Sequence, residues 1–235
     1  MIQLEICANS VTSALIAQQA GANRVELCEN LAEGGTTPSY AQIQLARKHL
    51  QIDLFPILRP RGGDFNYSDL EFEIMKTDLK VIKELGCDGV VFGILNQEGK
   101  VDKDRCAELL KLAQPLQVTF HRAFDKSADL FQAMEDIIEL GFNRILTSGG
   151  KPTAIEGLEI IKKLVSSAKG RISIMPGSGV NEMNLQDLII ETNAVEFHTT
   201  AKSFITSTSN HSEYNRELTN LEKIKNLINI IKRHS

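Results

Sequence analysis

The feature that most constrains this chain is a repeat. A short apolar strand ends in a polar or glycine-rich turn, and a stretch with helical period follows. Val118-Thr119-Phe120-His121-Arg122-Ala123-Phe124-Asp125 shows the pattern plainly, as an apolar run that breaks into a charged cluster. Eight such runs can be marked, at 2–7, 23–28, 52–58, 89–94, 116–121, 143–147, 171–175 and 194–198. Each precedes helical spacing or capping signals. Ser68-Asp69-Leu70-Glu71 reads as a capping box ahead of Phe72, Met75, Leu79 and Ile82. Thr153-Ala154-Ile155-Glu156 reads as a second, ahead of Leu158, Ile161 and Val165. Gly21, Gly86 and Gly141 stand where a left-handed residue would end a helix just before the next strand.

Eight β-α units in 235 residues predict an α/β chain folded as a single-domain (β/α)8 TIM barrel over residues 1–235. A doubly wound open sheet is the alternative, but no G-x-G-x-x-G follows the first strand. The Ser- and Thr-rich segment 199–215 reads as a long loop, lid or disordered stretch between the last strand and the last helix. Residues 216–233, with Leu221, Ile224, Ile228 and Ile231, read as an amphipathic helix that closes the barrel or packs on a partner subunit.

A net charge of -4 argues against a general nucleic-acid binder. No apolar run approaches the roughly 20 residues that cross a bilayer, and Met1-Ile2-Gln3-Leu4-Glu5 lacks the basic start of a secretory signal. Four cysteines in a chain of this kind read as cytosolic thiols. The expectation is a soluble cytoplasmic protein with no membrane partner.

Helices surround such a sheet, so helix-facing positions are apolar and alternation identifies the inward ones. Ile2, Leu4 and Ile6 oppose Glu5 and Cys7; Val25 and Leu27 oppose Glu26 and Cys28; Val195 and Phe197 oppose Glu196 and His198. Three carboxylates in a lumen need cations or hydrogen bonds. Arg59, Arg61, His121 and Arg122 are on offer at strand ends. The arrangement is either an ion-pair layer or a polar site.

Arg59 and Arg61 beside Gly62-Gly63 suit a carboxylate or phosphate. Ser148-Gly149 and Gly177-Ser178-Gly179, with His198, suit an anion on the same rim. His121 is the candidate acid or base, with Glu26 as the other proton carrier and Glu5 and Glu196 setting the pKa. Cys7 and Cys28 end adjacent strands, and two thiolates near His198 would suit Cu(I). Inert buried thiols are the plainer reading, and a divalent ion on the glutamates is a further variant. No C-x-x-C, G-x-S-x-G, Walker loop or H-E-x-x-H is present.

Six stretches carry a family resemblance: Glu26-Leu27-Cys28-Glu29-Asn30-Leu31-Ala32-Glu33-Gly34-Gly35-Thr36-Thr37-Pro38-Ser39, Arg59-Pro60-Arg61-Gly62-Gly63-Asp64-Phe65, Gly89-Val90-Val91-Phe92-Gly93, Thr119 to Asp125, Arg144 to Gly149 and Met175 to Gly179. With them the chain resembles the CutC family of copper homeostasis proteins from residue 2 to about 202. The resemblance implies a (β/α)8 barrel, a cytoplasmic location, a homo-oligomer and copper homeostasis, with Cu(I) held by Cys7 and Cys28. Thr199-Thr200 stand where the family pattern suggests Gly-Ser, and Gly150 where it suggests Gln. Two functions remain open: a Cu(I)-binding homeostasis protein, or a barrel enzyme acting on a small anionic or phosphorylated metabolite.

Overall fold

In this computed structural model, residues 2–205 and 216–234 are described. The strands and helices alternate as β1 (Gln3–Ala8), α1 (Val11–Ala20), β2 (Arg24–Leu27), α2 (Tyr40–His49), β3 (Asp53–Pro56), α3 (Asp69–Glu84), β4 (Gly89–Phe92) and α4 (Lys103–Ala113). They continue as β5 (Gln117–Phe120), α5 (Leu130–Leu140), β6 (Arg144–Thr147), α6 (Leu158–Ala168), β7 (Ser173–Pro176), α7 (Leu185–Thr192) and β8 (Glu196–Thr199). A hairpin of β9 (Lys202–Ile205) and β10 (Arg216–Thr219) precedes α8 (Leu221–Lys232).

Local chemistry sets these boundaries. Ser68 and Glu71 cap α3 reciprocally, and its buried face is the expected Phe72, Met75, Leu79 and Ile82. Gly21 and Gly141, at φ 95° and 91°, end α1 and α5 and turn the chain into the next strand. The Thr153–Glu156 pair forms as well, with Glu156 N–H donating to the Thr153 hydroxyl at 3.4 Å. It closes a turn rather than capping α6, which starts only at Leu158.

Parallel ladders run β8-β1-β2-β3 and β4-β5-β6-β7. An Ile57–Val91 bridge joins β3 to β4. At the other seam β7 lies beside β8, with Gly177 against the His198 side chain. The result is the (β/α)8 barrel. Leu4, Ile6, Val25, Leu27 and Phe197 belong to the main apolar core, while Cys7, Cys28, Phe55, Ile57 and Val91 form a separate small cluster.

Part of the segment expected to be a loop forms a strand. β9 and β10 pair antiparallel, and Lys202 reaches Glu217 at 2.7 Å across the hairpin. The last helix therefore begins at Leu221, not near 216. Residues 206–215 lie outside the described residues.

Candidate functional site

Barrel register sets the chemistry in two levels. At the lower one, β1 places Glu5 opposite Arg24 of β2 and His198 of β8. Arg24, 2% exposed, pairs through Nε with Glu5 and through Nη2 with Glu196 at 2.5 Å. Arg144 Nε meets Glu196 at 3.0 Å. Both guanidinium groups lie over the Phe55 ring, at 5.0 and 5.2 Å. Burial pushes the Glu5 carboxyl up, but Arg24 and His198 outweigh it and hold it below the usual carboxylate range. Glu196 is held down in the same way by Arg144 and Arg24.

At the upper level, Cys7 Sγ, a Glu26 carboxylate oxygen and a His198 ring nitrogen lie within 4.8 Å of one another, all three side chains buried. Cys28 Sγ is 3.5 Å from Cys7 Sγ. His198 Nδ1 is 2.7 Å from Glu5 Oε1, and its Nε2 is 3.6 Å from Glu26 Oε2. Glu5 thus fixes the ring and leaves the other nitrogen turned towards Glu26, the arrangement in which a carboxylate orients a metal-binding histidine.

The protonation of this level follows from its surroundings. Burial lifts the Glu26 carboxyl above its usual range, only partly offset by His198. Burial pushes His198 down, but the charges of Glu26 and Glu5 win and raise it. The bond to Cys28, burial and the Glu26 charge all push the Cys7 thiol well up. A metal entering here would displace protons. The donor set fits a soft or borderline ion: sulfur and imidazole suit Cu(I), and the carboxylate would balance its charge.

Cys7, Glu26 and His198, but not Cys28, form one wall of a cavity of about 580 Å³, a size typical of small-molecule sites. Arg59, Phe65 and His121 line it as well, as do Ser178 and Gly179 from the loop after β7. Burial and then the Arg59 charge push His121 down to about 3. His121 is therefore neutral near pH 7.

Other expected site residues fall elsewhere. Glu5 and Glu196 do not line the cavity; they are held in the ion-pair layer beneath it. Arg61 braces its own loop through Asp64 and Glu71. The amides of Ser148 and Gly150, which the glycine-rich turn offers to an anion, already bond the Asp125 carboxylate at 3.0 Å each, and Gly149 N–H bonds the Thr147 hydroxyl. Gly177 packs on His198. The cations serving the carboxylates are Arg24 and Arg144, which sequence reasoning missed, instead of Arg59, Arg61 or Arg122. Arg24 was legible, since it sits two residues before Glu26 on the same inward face.

The sequence profile described as the CutC family matches residues 2–203. The chain belongs to the CutC family. It is 46% identical over 242 residues to a mouse protein named copper homeostasis protein cutC homolog, covering 97% of this chain and 89% of that one. The human homolog of the same name is 45% identical with the same coverage. A solved CutC structure from Streptococcus agalactiae superposes with a TM-score of 0.81 at 40% identity, covering 85% of this chain and 99% of that one. Thiamine phosphate pyrophosphorylase from Pyrococcus furiosus, at 15% identity and a TM-score of 0.64 with 99% and 96% covered, shares the fold alone. The CutC match spans both levels of the lumen and every cavity residue named above, and stops before β10 and α8.

Proposed function

We propose that this CutC-family protein is a cytoplasmic copper homeostasis protein that binds one Cu(I) at the upper level of its barrel, through Cys7 and Cys28 with His198 beside them. One observation carries the reading: Cys7 Sγ is 3.5 Å from a second sulfur and within 4.8 Å of both a carboxylate and an imidazole. The names of the mouse and human relatives point to the same metal. All four cysteines are free thiols, as a reducing compartment would keep them. No helix among the described residues is long and apolar enough to cross a membrane.

Titrating reduced protein with Cu(I) against a competing chelator tests the site. One equivalent is expected to bind, Cys7→Ser to weaken it sharply, and Cys28→Ser likewise. Tight binding that survives in the Cys7→Ser, Cys28→Ser double variant removes the proposal. Light scattering of the purified chain reads the homo-oligomer that family membership suggests.

A second reading, an enzyme acting on a small anionic or phosphorylated metabolite, is favoured by one observation. The cations Arg59, Arg122, Lys126 and Lys202 all line the cavity. A thermal-shift panel of anionic metabolites tests it, and a panel with no stabilising member counts against it.

A further inference from the structure

Two buried donors in the cavity wall have no acceptor. His121 ends β5 and is 4% exposed. Its Nδ1 accepts the Ala123 N–H at 3.2 Å. A backbone amide only donates, so Nδ1 carries no proton and the hydrogen of the neutral ring sits on Nε2. That Nε2 is buried without a partner. The ring packs closely on its neighbours. A side chain at Gly93 would collide with Nδ1 and Cε1, and the Phe65 ring lies 5.0 Å from the imidazole.

Arg59 is 3% exposed. Its Nη1 donates to the carbonyls of Glu33 and Gly35 at 2.6 and 2.9 Å, and Nη2 to that of Gly63 at 2.8 Å. Nε has no partner. Among the described residues, no carboxylate lies within ion-pair distance of this guanidinium. Its charge is met by carbonyl dipoles, by the face of Phe65, 4.8 Å away, and by the nearby hydroxyl of Tyr67, none of which carries a negative charge at neutral pH. A buried cation without a counter-charge and a buried N–H without an acceptor both carry a desolvation penalty. An anionic oxygen in the cavity that both residues line would relieve these penalties.

We propose that the cavity is an oxyanion site in which a carboxylate or phosphate oxygen of a small molecule accepts the His121 Nε2–H beside the Arg59 charge. His121 then acts as a fixed donor, not as the acid or base that the sequence suggested. A neutral N–H donated to a ligand oxygen stabilises negative charge there without exchanging a proton. The inference rests on the anionic-ligand reading of the cavity and is independent of copper.

The test is long-range nitrogen–proton NMR of the imidazole rings in the full chain, with inorganic phosphate added in one arm and acetate in the other. His121 is expected to remain neutral with its proton on Nε2 through neutral pH, and at least one anion to shift that nitrogen saturably. A response to phosphate alone identifies a phosphoryl ligand, and one to acetate alone a carboxylate. His121→Phe should weaken that binding about tenfold or more, the share of a hydrogen bond to a charged group. His121→Gln, which keeps an N–H near the same place, should retain most of it. A His121 that titrates near 6.5, a proton found on Nδ1, or no saturable shift with either anion overturns the proposal. Failure of the metabolite panel alongside an intact anion response would remove turnover and leave the site.

Discussion

Replacing Arg24 with methionine tests whether the lower level is held by charge. The substitution keeps much of the aliphatic stem but removes the partner that Glu5 and Glu196 share. Removing one member of a buried ion pair costs about 3–5 kcal/mol, because the other charge stays buried. Here the loss is cushioned, since Arg144 still meets Glu196 at 3.0 Å and His198 still meets Glu5 at 2.7 Å. Loss of the contact with Phe55 adds back about 0.5–2 kcal/mol. The net expectation is about 3–4 kcal/mol, read as a lower urea midpoint with an unchanged slope. Glu5→Gln on that background removes the orphaned charge and should recover about 1–3 kcal/mol as coupling energy.

The pH dependence provides a second readout of the same substitution. Glu5 is held below the usual carboxylate range in the folded state, so its contribution is present above its unfolded pKa and fades as the pH falls below it. Without Arg24 that contribution is diminished already at neutral pH. The stability curves of the wild type and Arg24→Met should therefore converge on acidification below about pH 4. A single variant costing under about 1 kcal/mol, against the 3–5 expected for a broken buried pair, or a double variant no more stable than the single, refutes the reasoning.

Three further outcomes are expected. Cu(I) affinity should rise with pH through the neutral range and above, because the metal must displace the raised proton of Cys7 and that of His198; a flat profile in competition titrations would place the metal elsewhere. Gly89→Ala puts a methyl into the Phe55 ring that lies against Arg24 and Arg144, and should cost about 1–3 kcal/mol in urea unfolding as overpacking. Asp125→Ala strips the acceptor from the Ser148 and Gly150 amides and the Thr147 hydroxyl, and should cost about 1–3 kcal/mol while speeding hydrogen exchange at those amides.

The barrel was legible because eight β-α units repeat along the chain, and its inward side chains because β1, β2 and β8 alternate. Glu5, Glu26, Glu196, Cys7, Cys28 and His198 were all placed inward by that rule, and their pairing follows from register once neighbouring strands are known. Applied two residues back from Glu26, the same rule names Arg24, which lies away from the strand ends that carry Arg59, Arg61 and Arg122. What stayed hidden is non-local. Asp125 fills the turn after β6 from 23 residues away in sequence. The β9–β10 pairing is a cross-strand match within a segment whose composition is that of a loop.

The two levels differ in one respect that bears on function. Glu5 and Glu196 share Arg24, and Arg144 adds to Glu196, so both carboxyls stay charged at low cost. Among the described residues Glu26 makes no ion pair with an arginine; it faces the Cys7 thiol and meets His198 at 3.6 Å, and burial raises its pKa. The upper level is thus a buried carboxylate, a thiol and an imidazole lacking one fixed positive charge. A metal cation would give Glu26 what Arg24 gives Glu5. In its absence His198, held in place by Glu5 and with its pKa raised by the carboxylates around it, fills that role in part when it is protonated. The lower layer would then serve the upper: by charging and fixing Glu5, Arg24 keeps the His198 ring turned so that Nε2 stays on the side of the thiol and the carboxylate.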